Sequence, residues 1–142
     1  MNILGLVFVG ADPSACLLKD GSIAGMIEEE RLIRIKHATD YFPTEAVKFC
    51  LKKGEIDISE VDYIAYPWDA QKFDTGIQRQ SHMKNFYDSL NKKYIKDSRT
   101  LKWEQLQIDT FNTHAMTNKI IKSLKKIYPT ATKFPRSIYV AP

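Results

Sequence analysis

The side chains best suited to chemistry lie in the first 40 residues. Gly10-Ala11-Asp12-Pro13-Ser14-Ala15 puts a carboxylate and a hydroxyl at the tip of a loop between two apolar runs. A loop of this kind can hold a phosphate, a metal ion or an attacking hydroxyl, and Asp-Pro-Ser is equally ordinary turn vocabulary. Glu28-Glu29-Glu30-Arg31 follows, with Arg34, Lys36 and His37 shortly behind it. Three adjacent carboxylates repel one another, so they are either solvated or neutralised by a cationic ligand or by Arg31. In an extended chain, alternation places Glu28 and Glu30 on one face and Glu29 on the other. One face then offers two acceptors to an amine-rich or polyhydroxylated substrate; as an exposed turn, the same residues are only a charged surface. His37 beside Lys36 suits anion binding or proton movement near neutral pH.

Much else is excluded. His37, His82 and His114 lack metal-ligand spacing, and the last two fall on helical patterns, as surface or partner-satisfied residues do. There is no phosphate-cradling glycine loop, no dinucleotide fingerprint, no Gly-x-Ser-x-Gly and no Cys-x-x-Cys. Cys16 and Cys50 sit in apolar patterns and read as buried thiols of a cytoplasmic protein. No apolar run approaches the roughly 20 residues that span a bilayer, and the N-terminus lacks a basic leader region. No membrane association is expected. The net charge of +4 is unevenly spread: residues 1–70 hold 12 acids against 7 Lys/Arg, and residues 71–142 hold 5 against 14. Lys92-Lys93 and Lys125-Lys126 are short pairs without an Arg cluster, so no nucleic-acid partner is expected.

The elements that must position these residues follow from periodicity. With 142 residues, 44% hydrophobic and 27% charged, the chain has the composition of one globular domain. Residues 3–9 are continuously apolar, as in a strand buried on both faces. Ser14–Leu18 and Ser22–Ile27 read as two further strands reversed at Asp20-Gly21. The opening is thus an antiparallel meander. Thr44 reads as the N-cap of a helix with Ala46, Val47, Cys50 and Leu51 on its core face, ending near Gly54 in a left-handed cap. Val61–Tyr66 reads as a fourth strand. Looser helical patterns cover Ile77–Tyr94 and Trp103–Ile127, the latter stopped by Pro129, and residues 137–141 read as a last strand.

In order, these pieces resemble the start of the nodulation/antibiotic O-carbamoyltransferase family. The residues that carry the likeness are Ile3-Leu4-Gly5-Leu6, Asp12-Pro13-Ser14-Ala15-Cys16-Leu17-Leu18-Lys19-Asp20-Gly21, Glu28-Glu29-Glu30-Arg31, Lys36-His37, Phe42-Pro43, Phe49-Cys50-Leu51 and Asp62-Tyr63-Ile64-Ala65-Tyr66. The likeness covers about residues 1–69; residues 70–136 are generic. It implies an α/β fold of the Kae1-like ASKHA type (actin/Hsp70/acetate-kinase-like, ribonuclease H-like). Residues 1–142 would form its first half, a mixed sheet opening with an antiparallel β-meander and flanked by helices.

The resemblance further implies transfer of a carbamoyl group from carbamoyl-adenylate to a hydroxyl of a sugar-like or antibiotic acceptor. A YrdC-type domain makes that adenylate from carbamoyl phosphate and ATP, and an iron ion assists the transfer. By position, Asp12 matches the loop aspartate that orients the acceptor hydroxyl or takes its proton, and Ser14 lies beside it in the acceptor site. Glu30 and Arg31 would line the acceptor pocket, and Lys36 and His37 would face the anionic intermediate. The sequence departs at Ala11, where the family usually has His, and at Pro13. The family continues past a Val-Pro strand into a His-His-x-x-x-His-Ala metal motif, whereas Val140-Ala141-Pro142 is the end here. The expectation is therefore an incomplete domain, inactive alone, that holds no ATP, carbamoyl phosphate or iron by itself. Its expected partners are a hydroxylated small molecule, the remainder of the enzyme (in the same chain or a second one), and a second copy through exposed core at Ile138, Tyr139 and Val140. A non-catalytic ASKHA half-domain that binds a sugar or a protein is the alternative.

Overall fold

In the computed structural model, which describes residues 1–67 and 109–139, the apolar run after Met1 becomes strand β1 (Asn2–Val7). It continues into β2 (Ser14–Lys19) and β3 (Ser22–Glu28). Then come a short helix α1 (Glu29–Ile33), the longer α2 (Thr44–Gly54), a 3-10 turn (Ile58–Glu60) and β4 (Tyr63–Tyr66). Helix α3 (Thr113–Ile127) and β5 (Arg136–Tyr139) complete the described elements. The Ile77–Tyr94 helical pattern, the start of the Trp103–Ile127 one and His82 lie outside the described residues. The chain divides into two compact units, Met1–Trp68 with Ile121–Pro142, and Asp69–Ile120.

The first unit is built on a mixed five-stranded sheet in the order β3-β2-β1-β4-β5. The meander is antiparallel, while β4 runs parallel to β1, and β5 parallel to β4. The β2–β3 reversal needs only Asp20 and Gly21, at φ 49° and 83°. Positive φ at both central residues matches the right-handed twist of the flanking strands, which is why Asp-Gly is found there. The Met1 ammonium reaches Asp20 Oδ1 at 2.6 Å and fastens the start of β1 to this turn.

Leu4, Leu6, Ala15, Leu17, Ile64 and Tyr66 alternate onto one face of the sheet and are at most 2% exposed. Helix α2 covers that face with Ala46, Val47, Cys50 and Leu51. Contact is close: the Cys50 thiol donates to the carbonyls of Ala15 and Gly25 at 3.4 Å, and burial pushes it up to about 11. A Cβ on Gly25 would meet Lys53 Cβ at 3.2 Å, so glycine there lets helix and strand approach. The expectation that residues 3–9 are buried on both faces is not met among the described residues. Ile3, Gly5 and Val7 are only half-buried.

Three local expectations change. Thr44 is not the N-cap: Pro43 takes that place without a side-chain bond, and Thr44 opens α2. Gly54 is not the left-handed residue, which is Glu55 at φ 52°. Gly54 is glycine for packing, because a Cβ there would collide with the Leu17 side chain. The alternation drawn for Glu28–Glu30 also fails, since the strand ends at Glu28 and Glu29 begins a helix.

In the second unit, Asn112 caps the start of α3, its side chain accepting from the Ala115 N–H at 2.8 Å. Met116 and Ile120 are buried there, and His114 pairs with Asn118 at 2.8 Å. In the first unit, the end of α3 buries Leu124. Beyond it, burial pushes the Tyr128 hydroxyl up to about 12, with the carboxylates of Asp57 and Glu45 adding to the effect. Among the described residues no helix is long and apolar enough to cross a membrane.

Candidate functional site

The site forms where two loops are zipped together at the carboxyl ends of β1 and β3. The first leaves β1 through Gly10–Pro13, and the second runs from Arg34 to Asp40 after α1. The Asp12 N–H donates to the His37 carbonyl at 2.9 Å, and the Asp40 N–H donates to the Gly10 carbonyl at 3.1 Å. The Glu29 N–H donates to the Pro13 carbonyl at 2.8 Å, which ties the start of α1 to the same loop. Gly10, Asp12, Arg34, His37, Ala38 and Asp40 all have positive φ. Short polar side chains and glycine tolerate that region best, and Ala38 is held there fully buried. Beneath the loops, Phe8 stacks against Phe42 and Tyr66 at centroid distances of 5.3 and 5.0 Å. This aromatic floor gives the loops a rigid support.

Above it, three of the six expected site residues meet. Asp12 Oδ1 lies 3.0 Å from His37 Nδ1, and Glu30 Oε2 accepts from the His37 N–H at 2.6 Å. One ligand-type atom each from Asp12, Glu30 and His37 falls within 4.8 Å of the others. Arg31 joins them, 3.1 Å from Glu28 and 3.4 Å from Glu30. Of the outcomes open to the glutamate run, Arg31 neutralises Glu28 and Glu30, while Glu29 is turned away from it. Ser14 and Lys36 are not drawn in: Ser14 sits in β2 opposite Val7 and Glu28, and Lys36 is exposed. Among the described residues, no hydrogen bond links either to the cluster.

His37 is raised above the usual imidazole range, first by its hydrogen bond to Asp12, then by the charges of Asp12 and Glu30. Of the two roles open to it, this favours the imidazolium. Nδ1 faces Asp12, so Nε2 remains to donate to an anion. The side chains of Asp12 and His37 are about half exposed, and Glu30 is 16% exposed. The cluster is therefore reachable by a small molecule.

The same donors bear on the iron that the family resemblance implies. One imidazole and two carboxylates are the right ligand types. But Arg31 already occupies Glu30, and the environment of His37 favours the protonated ring, which offers no lone pair at Nδ1. A metal ion at these atoms would displace the His37 proton and compete with Arg31 for Glu30.

Sequence reasoning missed one residue, Glu29. It is 2% exposed, and its two oxygens accept from the N–H groups of Glu45 and Ala46 at 3.0 and 2.8 Å. A carboxylate 15 residues before α2 does what was assigned to Thr44: it satisfies the first amides and the helix dipole. The signal available was the weakness of the local cap, Pro43-Thr44, beside an unexplained third glutamate.

A family model described as carbamoyltransferase N-terminus matches residues 2–134. "Uncharacterized protein sll1178" of Synechocystis sp. is 42% identical over 65 residues, which is 46% of this chain and 10% of that protein. Nodulation protein NolNO of Sinorhizobium fredii is 40% identical over 55 residues, 39% of this chain and 8% of its own. An uncharacterized 19.2 kDa protein in the syrM 5' region of Rhizobium etli is 36% identical over 53 residues, 37% of this chain and 30% of its own. The chain spans less than a third of the length of each of these relatives.

Proposed function

The chain belongs to the carbamoyltransferase N-terminus family, and on that premise we propose that it forms the acceptor side of an O-carbamoyltransferase. The reaction moves a carbamoyl group from carbamoyl-adenylate, made from carbamoyl phosphate and ATP, to a hydroxyl of a sugar-like or antibiotic acceptor. The observation that carries the reading is the convergence within 4.8 Å of Glu30 on α1 with Asp12 and His37, on two loops and 25 residues apart in sequence. The sheet order, a meander followed by parallel strands, supports the ASKHA reading of the fold. The free thiols of Cys16 and Cys50 support a cytoplasmic location.

In this mechanism Glu30 and Arg31 orient the acceptor, and its hydroxyl approaches the free oxygen of Asp12. The hydroxyl oxygen bonds to the carbamoyl carbon, the bond from that carbon to the adenylate phosphate oxygen breaks, and AMP leaves. The acceptor proton passes to Asp12, a general-base contribution worth about 10²–10⁴-fold. The imidazolium of His37 does two things: it holds Asp12 in place through Nδ1 and offers Nε2–H to the departing phosphate.

The test is Asp12→Asn in the complete enzyme, assayed with carbamoyl phosphate, ATP and a polyhydroxylated acceptor. Asparagine tolerates the positive φ of this position, so the fold is retained. Turnover is expected to fall by roughly 10² or more, with the melting temperature nearly unchanged. If turnover is unaffected, or falls only as stability falls, Asp12 is a turn residue, and the sugar- or protein-binding half-domain becomes the better account.

A further inference from the structure

Asp12, Glu30 and His37 are held by a closed circuit of bonds rather than by any one element. The Asp12 N–H donates to the His37 carbonyl at 2.9 Å, and the His37 N–H donates to the Glu30 carboxylate at 2.6 Å. Glu30 follows Glu29 in the chain, the Glu29 N–H donates to the Pro13 carbonyl at 2.8 Å, and Pro13 follows Asp12. Three hydrogen bonds and two peptide links thus close a ring. Its outer members, Asp12 and His37, are about half exposed, while Pro13 and Glu29 are buried.

The ring cannot hold its own position. Helix α1 has only five residues and no side-chain cap bond at its start, and a helix so short does not support itself in water. The Glu29 carboxylate ties it to the core. One oxygen accepts from the Glu45 N–H at 3.0 Å, and the other from the Ala46 N–H at 2.8 Å. Those amides open α2, which is seated on the sheet through Val47, Cys50 and Leu51. Bonds from an N–H to a carboxylate are short and directional, and two from one side chain set both the distance and the rotation of α1 against α2. Residue 29 therefore acts in three directions. Its N–H fixes Pro13, its side chain fixes α2, and its neighbour Glu30 meets His37.

We propose that Glu29 is a positioning residue for the acceptor site, its buried carboxylate transmitting the placement of α2 to Asp12, Glu30 and His37. This rests on the reading of those residues as the acceptor site and goes beyond the helix cap. If Glu29 only capped α2, its loss would loosen the amides of Glu45 and Ala46 and leave the ring as it is. A positioning residue makes the ring respond. Proton transfer to Asp12 needs the acceptor hydroxyl aligned on it, and about 1 Å of misplacement can cost roughly 10²-fold in rate. A side chain one methylene shorter, reaching the same amides, draws α1 toward α2 by about 1 Å.

The experiment compares Glu29→Gln and Glu29→Asp with Leu51→Val as the control. Glutamine keeps the length but has one acceptor oxygen, and aspartate keeps both oxygens but shortens the reach. Leu51 is 3% exposed, so its truncation weakens α2 from the buried side and leaves both bonds to Glu29 in place. Amide hydrogen exchange of the 142-residue chain is read at Asp12 and His37. In Glu29→Gln these amides are expected to exchange about ten-fold faster than in the native chain, and in Leu51→Val at the native rate, because their opening is local. In the complete enzyme, assayed well below its melting temperature, Glu29→Asp is expected to lower kcat about ten-fold or more, with KM for carbamoyl phosphate and ATP unchanged.

Native exchange at Asp12 and His37 in Glu29→Gln, with only Glu45 and Ala46 loosened, reduces Glu29 to a helix cap and overturns the proposal. Equal acceleration in Leu51→Val, or an unchanged kcat in Glu29→Asp, overturns it too. If Glu29→Gln does not fold, Glu29→Asp carries the same exchange measurement with the same outcomes. Exchange is measured without substrate. Full turnover by Asp12→Asn therefore removes the acceptor reading, whereas a native exchange pattern removes this one.

Discussion

Leu17 and Leu18 are neighbours in β2 with the same side-chain chemistry, and the sheet turns them to opposite faces. Leu17 is fully buried under α2, touching the end of the helix at Gly54. Leu18 lies half-buried in the cross-strand row that runs from Ile23 to Tyr63. The contrast holds along β1, where Leu4 and Leu6 are at most 1% exposed while Ile3 and Val7 are half-buried. Hydrophobicity is the same on both sides; the difference lies in what covers each face.

The largest expected effect that tests this contrast is on stability. Leu17→Ala should lower it by about 2–5 kcal/mol, through lost burial and a cavity. Leu18→Ala should cost about 1 kcal/mol, because less of its surface leaves water on folding. Urea unfolding of both variants measures the gap, and equal losses would mean that the two faces are equally packed.

A smaller effect is expected at the capped end of α2. Glu29→Gln leaves a buried amide of α2 facing an –NH₂ group, and should destabilise the chain by about 1–3 kcal/mol. Thr44→Ala should stay within about 0.5 kcal/mol, since Thr44 makes no cap bond. If Thr44→Ala proves the more damaging, the local residue is the cap and the long-range carboxylate is not.

The smallest effect belongs to the exposed His37–Asp12 pair that closes the two loops. The folded state raises His37 above its unfolded value of about 6.5. The stability it contributes is therefore fully present below that pH and is lost as pH rises through the folded value. The melting temperature of the native chain, relative to His37→Gln, should fall from acidic to mildly alkaline pH. A difference that does not change with pH would show that the imidazole carries no extra proton in the folded chain.

Much of this was legible in the residues. The meander could be read because strand alternation and the Asp20-Gly21 turn are local: each rests on neighbours or near neighbours in sequence. Helix α2 could be read from its core stripe, and its bounds, Thr44–Gly54, agree with the pattern. Its two ends were misassigned for one reason. Capping by Thr44 and a left-handed Gly54 are local rules, whereas the real partners, Glu29 and Leu17, arrive from distant chain. The site was legible as a set of residue types, but only Asp12, Glu30, Arg31 and His37 were brought together, while Ser14 and Lys36 stayed apart.

The sequence by itself determined the order of the meander, α2 and β4, the turn between β2 and β3, and the kinship with carbamoyltransferases. All of these depend on short-range pattern. Tertiary structure alone decided that the loops of Asp12 and His37 would close on each other through left-handed backbone and paired carbonyls. It also decided that the middle glutamate would turn inward to hold a helix while its neighbour faced the site. A carboxylate's role is set by the donors around it, and those donors come from parts of the chain that only folding makes adjacent.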